Sequence, residues 1–329
     1  MKIQYFNHCI WLLACMLFAG ACTEEEYALP TPEPGLHNDV IKRTLGPNIV
    51  GLNLEFAYAM AIPESEGRLT SARVEASIPG AAGTWLENNS YYTNGSGDDV
   101  PTQMGEPALT SGNVSEMTFT ADTMATTLRY YYVIPEEARG QEVNFTFSAT
   151  ASNGQTVSYR MGPYQIASMD MVLDQVAVDN GACYISIEDM KIYDAATAAA
   201  NPEKIDLVYL YRDIDEKDFN HALVSPAADP LYLPGVTLPP GVNRSTKVRK
   251  AWGLRDQHLA RLKYGVFIDD VDFEKLDVSS APNYAINMKV ESGAWVETQD
   301  GRYRAYIYVN SVSNAGASMK LSIKRLRIN

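Results

Sequence analysis

The sequence LNLEFAYAM, residues 52–60, alternates large apolar side chains with small or polar ones. The large apolar residues fall at every second position, so they share one face of an extended chain. They are Leu52, Leu54, Phe56, Tyr58 and Met60. A period of two is typical of a β-strand that is buried on one side only. This segment therefore predicts a strand, and it predicts a β-rich fold if the pattern recurs.

The pattern does recur over the next hundred residues. Segments 128–134 and 143–151 carry the same stripes, and Asn153-Gly154 supplies a hairpin turn because both residues tolerate positive φ. With the weaker segments we count about seven strands in about 120 residues, which is the density of an immunoglobulin-like sandwich. We expect such a sandwich over residues 47–168. In this respect the chain is similar to the Ig-like modules of bacterial surface lipoproteins, although the Cys-Trp-Cys pattern of antibody domains is absent.

Residues 169–329 predict a second, mostly β domain with one short helix. The helix is expected over 251–263, where Ala251, Leu254, His258 and Leu262 have helical spacing. Asp300-Gly301 predicts a hairpin turn. In the last strand the apolar positions change register between 323 and 326, which predicts a β-bulge.

The N-terminus contains a short apolar stretch, from Ile10 to Ala21, that is too short to span a bilayer. Small residues precede Cys22, and an acidic run, Thr23-Glu24-Glu25-Glu26, follows it. The arrangement resembles the lipobox and surface-export signal of Bacteroidetes lipoproteins. This resemblance implies a signal peptide at 1–21, acylation of Cys22, a Pro-rich tether at 22–46, and anchoring in the outer membrane facing the exterior. Cleavage at Cys15 and ordinary secretion are the alternatives.

The formal net charge of −13 argues against nucleic acid as a partner, since phosphates repel an acidic protein. Residues 240–329 are the exception, with 15 Lys and Arg against 9 Asp and Glu, which we interpret as a solvated sheet face, with an anion-binding patch as the alternative. Outside the predicted leader and Cys22, Cys183 is the one cysteine, so no disulfide is expected within the mature chain. We expect Cys183 to be a buried, inert thiol.

The catalytic motifs that we sought are missing. The chain has no Gly-x-Ser-x-Gly, His-Glu-x-x-His or Cys-x-x-Cys pattern, and beyond the leader its histidines are only His37, His221 and His258. The acidic run 269–274 lacks the spacing of a calcium loop, so a solvated turn is preferred to a metal site. We expect no cofactor and no metal. A glycosidase that uses only carboxylates stays open, because sequence does not show their separation.

A long polar insertion at 79–115 is the first place to look for a ligand, because long loops in compact domains are often functional. It combines aromatic rings, which can stack on sugar faces, with amides, which can bind hydroxyl groups. The predicted non-catalytic function is capture of a glycan or another extracellular ligand, with a protein of a surface uptake complex as a further partner. The alternatives are an adhesive or structural subunit presenting Tyr131, Tyr306 and Tyr308, a lipid binder, and a glycosidase. The candidate ligand-binding residues are Trp85, Asn88, Tyr91, Tyr92, Asn94 and Trp252.

Overall fold

Burial along the strands follows the alternation in the sequence. In the strand Asn53–Ala61, Leu54, Phe56, Tyr58 and Met60 are buried and the intervening residues are not. The computed structural model describes residues 33–214 and 218–329, and it is built mainly of antiparallel β-sheets, as predicted. The predicted signal peptide, Cys22 and the first part of the tether lie outside the described residues.

The first half is a sandwich of two sheets, with strand orders β1-β2-β9-β4 and β11-β10-β3-β8-β7, and β5 pairs with β6 as a separate hairpin. Its core holds an aromatic cluster around Phe56, Tyr58, Phe145 and Phe147. The strands are β1 (His37–Lys42), β2 (Asn53–Ala61), β3 (Leu69–Ala76), β4 (Trp85–Leu86), β5 (Asn89–Thr93), β6 (Asp99–Gln103), β7 (Leu109–Ser111), β8 (Val114–Thr118), β9 (Ala125–Val133), β10 (Glu142–Ala151) and β11 (Thr156–Gln165).

Two predictions for this half are wrong in part. The predicted tether extends to residue 46, yet β1 pairs with β2 along its whole length, and Val40 lies in the core. Residues 37–42 show only a weak alternation of apolar and polar side chains, so it is pairing with β2 that makes them a strand. The insertion at 79–115 is not structureless either, because it contains β4 to β7 and the start of β8.

The second half contains two five-stranded sheets, with orders β12-β21-β20-β19-β17 and β14-β13-β15-β16-β18. The described residues of this half include three short helices, α1 (Ala195–Ala200), α2 (Gln257–Ala260) and α3 (Asp270–Glu274). Single 3-10 turns lie at Pro202–Lys204 and Pro230–Tyr232 in this half and at Glu136–Ala138 in the first half. The strands are β12 (Asp170–Val178), β13 (Tyr184–Ser186), β14 (Lys191–Tyr193), β15 (Leu207–Arg212), β16 (Asn220–Val224), β17 (Lys247–Trp252), β18 (Tyr284–Met288), β19 (Ser292–Glu297), β20 (Tyr303–Ser313) and β21 (Ser318–Arg327).

The helix predicted over 251–263 is mostly wrong. Ala251 and Trp252 continue β17 and pair with Gly293 and Ser292 of β19. Only α2 is helical: it begins after Asp256, whose carboxylate accepts a hydrogen bond from the Leu259 N–H, and it ends where Arg261 adopts φ 53°. Pairing with β19 therefore overrides the helical spacing of the apolar residues.

The sheet β12-β21-β20-β19-β17 is buried on both faces, and this explains the apparent change of register in β21. Ile323 points into the core between the sheets, whereas Leu326 joins a separate cluster under α2 and α3. The ladder between β20 and β21 is continuous over 321–327, so the predicted bulge in β21 is wrong; the irregularity lies in β20, between Val309 and Ser311. Among the described residues, no helix is long and apolar enough to span a bilayer.

We predict that Gly293→Ala destabilises this sheet. A methyl group at Gly293 would lie 2.1 Å from the Tyr306 hydroxyl oxygen, and that buried hydroxyl donates to the Leu254 carbonyl at 2.7 Å. Crowding of this kind costs about 1–3 kcal/mol. Urea unfolding should show the loss, and Gly95→Ala is the control because its added methyl group would meet no atom within 4 Å beyond its own chain neighbours. An unchanged unfolding midpoint for Gly293→Ala would contradict the packing described here.

Candidate functional site

Trp85 and Tyr131 form a stacked aromatic pair on the outer face of the sheet β1-β2-β9-β4. The register of β4 on β9 pairs Trp85 with Tyr131 and Leu86 with Tyr130. Leu86 and Tyr130 enter the core, so alternation turns Trp85 and Tyr131 outward. Their ring centroids lie 5.6 Å apart with an interplanar angle of 13°, and Trp85 remains 42% exposed. We call these two residues the aromatic pair.

Charged side chains surround the aromatic pair. Arg129, two residues from Tyr131 on the same face of β9, lies over the Tyr91 ring at 4.3 Å and forms an ion pair with Asp99 at 3.2 Å. The Tyr91 hydroxyl donates to Glu87 Oε1, and this bond raises the pKa of Tyr91. Glu87 is buried, and its Oε2 has no hydrogen-bond partner among the described residues.

A shallow trough continues along this face beyond Arg129. Ala59, Ala61, Ala125 and Thr127 contribute small side chains to it, and its volume is about 490 Å³. Further lining residues are His37 and Asp39 of β1 and Ser90 of β5. Because β1, β2 and β9 are neighbouring strands, the trough and the aromatic pair belong to one continuous sheet face. We call this face the platform.

The hairpin β5–β6 uses its asparagines internally. Asn88 Nδ2 donates to the Gly105 carbonyl at 2.8 Å, and Asn94 Oδ1 accepts from the backbone N–H groups of Ser96 and Asp98, both at 2.9 Å. Tyr92 is 59% exposed and follows Tyr91, so the two rings project from opposite sides of the strand. Of the predicted residues, the structure thus places Trp85 and Tyr91 at the platform, with Asn88 and Asn94 shaping the loop beside it.

Trp252 lies in the second half, on the edge strand β17, and belongs to a different sheet from the aromatic pair. Lys250 Nζ sits 4.2 Å from its ring centroid and donates to the carbonyls of Ile286 and Asn287, each at 2.6 Å. Burial lowers the pKa of Lys250 to about 8. The structure therefore does not bring Trp252 together with the insertion at 79–115.

The surface suggested by Tyr306 and Tyr308 does not exist. Both side chains are buried in the cluster that packs α2 and α3 against the sheet, where Trp295 is also buried. Both side chains point away from the inter-sheet core, as predicted, but the segment that carries α2 and α3 covers them and excludes solvent. Tyr131 is the one member of the predicted tyrosine surface that reaches the outer face described here.

His221, Cys183 and the acidic run 269–274 are engaged in packing, hydrogen bonding or helix capping. His221 is buried between the Tyr209 hydroxyl and Asn314 Oδ1, at 2.8 and 3.0 Å, and burial lowers its pKa. Cys183 is buried, which raises the pKa of its thiol to about 11. In the acidic run 269–274, Asp269 and Asp272 form the capping box of α3. Within 33–214 and 218–329, no group of three His, Cys, Asp or Glu side chains is arranged to hold a metal ion.

Sequence reasoning missed Arg129 and Glu87. Arg129 alternates with Thr127 and Tyr131 opposite the apolar stripe of β9, so its outward position was readable from the sequence. The burial of Glu87 could not be predicted from the sequence, because it depends on the pairing of β4 with β9 and on the fold of the hairpin β5–β6.

Comparison with known proteins yields two domain families. The family described as domain of unknown function DUF4466 matches residues 33–166, and DUF8576, also of unknown function, matches 167–328. No curated protein matches the chain.

Among the solved structures that resemble this chain, the similarity ranges from weak to strong. The major pilin subunit of Bacillus cereus has a TM-score of 0.29 and 14% identity, covering 50% of this chain and 51% of that one. The major subunit of Myf fimbriae from Yersinia enterocolitica, in complex with galactose, has a TM-score of 0.23 and 11% identity, covering 40% and 98%. In contrast, the crystal structure of a DUF4466 family protein from Parabacteroides merdae has a TM-score of 0.84 and 46% identity, covering 90% of this chain and 100% of that one. The chain therefore belongs to the DUF4466 family.

Proposed function

We propose that this protein is a non-catalytic, lipid-anchored surface protein that captures glycans on the platform. The observation that carries the proposal is the aromatic pair: a stacked indole and phenol on an open sheet face, with Trp85 42% exposed. An exposed aromatic face is a hydrophobic surface that suits the apolar face of a sugar ring.

The polar groups beside the aromatic pair suit sugar hydroxyls. Arg129 offers guanidinium donors, and the Asp99 carboxylate that pairs with it is exposed and offers acceptors. Arg129 is held in place by its ion pair with Asp99 and by its contact with the Tyr91 ring. The Tyr91 hydroxyl in turn donates a hydrogen bond to Glu87. Side chains that are already held lose less conformational entropy when a ligand binds.

Anchoring through an acylated Cys22 and a location outside the outer membrane complete the proposal. They rest on the resemblance of residues 10–26 to lipoprotein signals. A single acyl chain gives only reversible attachment, so stable anchoring requires more than one. Mass spectrometry of the mature N-terminus tests this part: it should find acyl groups on Cys22.

Trp85→Ala should abolish retention on polysaccharide affinity gels. Loss of a central aromatic contact typically costs about 2 kcal/mol or more, which corresponds to at least about a 30-fold weaker binding constant. Trp252→Ala is the matched control, since it removes an exposed indole from another sheet. Circular dichroism should be unchanged in both variants. Equal retention of Trp85→Ala and the unaltered protein, or no retention of the unaltered protein on any polysaccharide, would count against the proposal.

A further inference from the structure

We propose that the platform selects neutral glycan chains and rejects uronic-acid and sulfated chains. This inference rests on the proposed function and adds to it the chemical class of the ligand. It follows from the charges on the face and from their pairing, which are independent of the aromatic contact.

Both arginines of the platform are already neutralised by carboxylates. Arg43 Nη1 lies 2.5 Å from Glu55 Oε1, and Arg129 Nη2 lies 3.2 Å from Asp99 Oδ2. Glu55 pairs with Tyr131 across β2 and β9, so both ion pairs flank the aromatic pair. Each ion pair cancels the positive charge that would otherwise attract a sulfate or carboxylate group to the guanidinium.

Two exposed acids add negative charge without an ion pair among residues 33–214 and 218–329. Asp39 lines the trough, and Asp98 closes the turn of the hairpin β5–β6. Exposed charges act over about 8 Å at physiological ionic strength, so an anion placed on this face would be repelled. Lys42, the nearest lysine in the sequence, belongs to the opposite face, since its partner across the ladder is the core residue Phe56.

The shape of the platform suits a chain rather than a single sugar. Tyr131 and Ala125 lie six residues apart on the same face of β9, which corresponds to about 20 Å at the rise of an extended strand. Small side chains line the trough, and Arg129 lies between the trough and the aromatic pair on this face. A glycan lying along β9 would stack one ring on the aromatic pair and place further rings over the alanine-lined trough.

The inference is tested on a glycan array that holds neutral oligosaccharides of glucose, galactose, mannose and xylose beside oligogalacturonides, hyaluronan and heparin fragments. We expect all Trp85-dependent binding in the neutral arm, and binding constants that change less than about twofold between low and high salt, since no counterions are released. Trp85-dependent binding of an anionic probe with equal or greater affinity would overturn the inference and leave the proposed function standing. Absence of binding in both arms would overturn both.

A charge variant separates electrostatic selection from simple shape. The double variant Asp39→Asn, Asp98→Asn should bind heparin fragments more tightly than the unaltered protein does, and the ratio of heparin binding to neutral-probe binding should rise. If the double variant rejects heparin as strongly as the unaltered protein does, charge is not the basis of selection and the inference fails. Glu64→Gln, which changes an exposed acid outside the platform, is the matched control.

Discussion

Replacing Lys324 with Ala is expected to lower the free energy of unfolding by about 3–5 kcal/mol, because it leaves a buried carboxylate without its cation. The Lys324 and Asp256 side chains are both 0% exposed, and Nζ lies 2.6 Å from Asp256 Oδ2. Lys324 Nζ also donates to the Ile268 carbonyl at 2.9 Å. The ammonium group thus ties β21 to the segment that carries α2 and α3.

Asp256 is held by more than the lysine. Its carboxylate accepts from the backbone N–H groups of Leu259 and Ile268, at 2.9 and 2.7 Å. Those bonds persist in Lys324→Ala but do not supply a positive charge. Urea unfolding of Lys324→Ala beside Lys320→Ala measures the effect, since Lys320 is exposed on the same strand and should change stability by no more than about 0.5 kcal/mol.

The double variant Lys324→Met, Asp256→Asn keeps the side-chain volumes and removes both charges. It should be more stable than Lys324→Ala, because a neutral buried amide costs less than an unpaired buried carboxylate. A loss below about 1 kcal/mol for Lys324→Ala would contradict the described burial of this pair.

In the first half, Phe147→Ala is expected to cost about 3–5 kcal/mol, the range found for large-to-small changes at aromatic core positions. Phe147 is fully buried, and its ring centroid lies 5.3 Å from that of Phe56, 5.2 Å from Tyr58 and 5.9 Å from Tyr130. Its removal leaves a cavity between the two sheets, since Phe147 lies on β10 and the three flanking rings lie on β2 and β9 of the facing sheet.

Tyr159→Ala is the matched control for Phe147→Ala. Tyr159 is the partner of Phe147 across β10 and β11, but it is 37% exposed, so its truncation should cost far less. Chemical unfolding followed by far-ultraviolet circular dichroism measures both changes. Equal losses for the two variants would contradict the placement of the core between these sheets.

The period-two pattern was sufficient for the long strands β2, β9 and β10 of the first half, because each of them is buried on one face only. It was insufficient where burial is two-sided. β20 and β21 bury Ile307 and Ile323 on one face and Tyr306 and Leu326 on the other. Alternation then no longer distinguishes core from surface, which is why the sequence suggested a bulge and an exposed tyrosine surface.

The sequence was sufficient to predict Trp85 as a residue of the candidate site, but not to predict the residues that surround it. The composition of the insertion indicated Trp85 and Tyr91, and the structure brings both to the platform. Arg129 is 44 residues beyond Trp85 in the sequence, and only the pairing of β4 with β9 places them on one face. β1 was missed for the same reason, because a partner strand and not its own pattern makes it extended.

Indole NMR is the most direct test of glycan capture on the platform. The described chain has three tryptophans, Trp85, Trp252 and Trp295, of which Trp295 is buried and Trp252 lies on another sheet. Titration with a neutral oligosaccharide selected on the array should shift the indole N–H resonance of Trp85 and leave those of Trp252 and Trp295 in place. A ligand that shifts Trp252 alone, or that binds without moving the Trp85 resonance, would contradict the account.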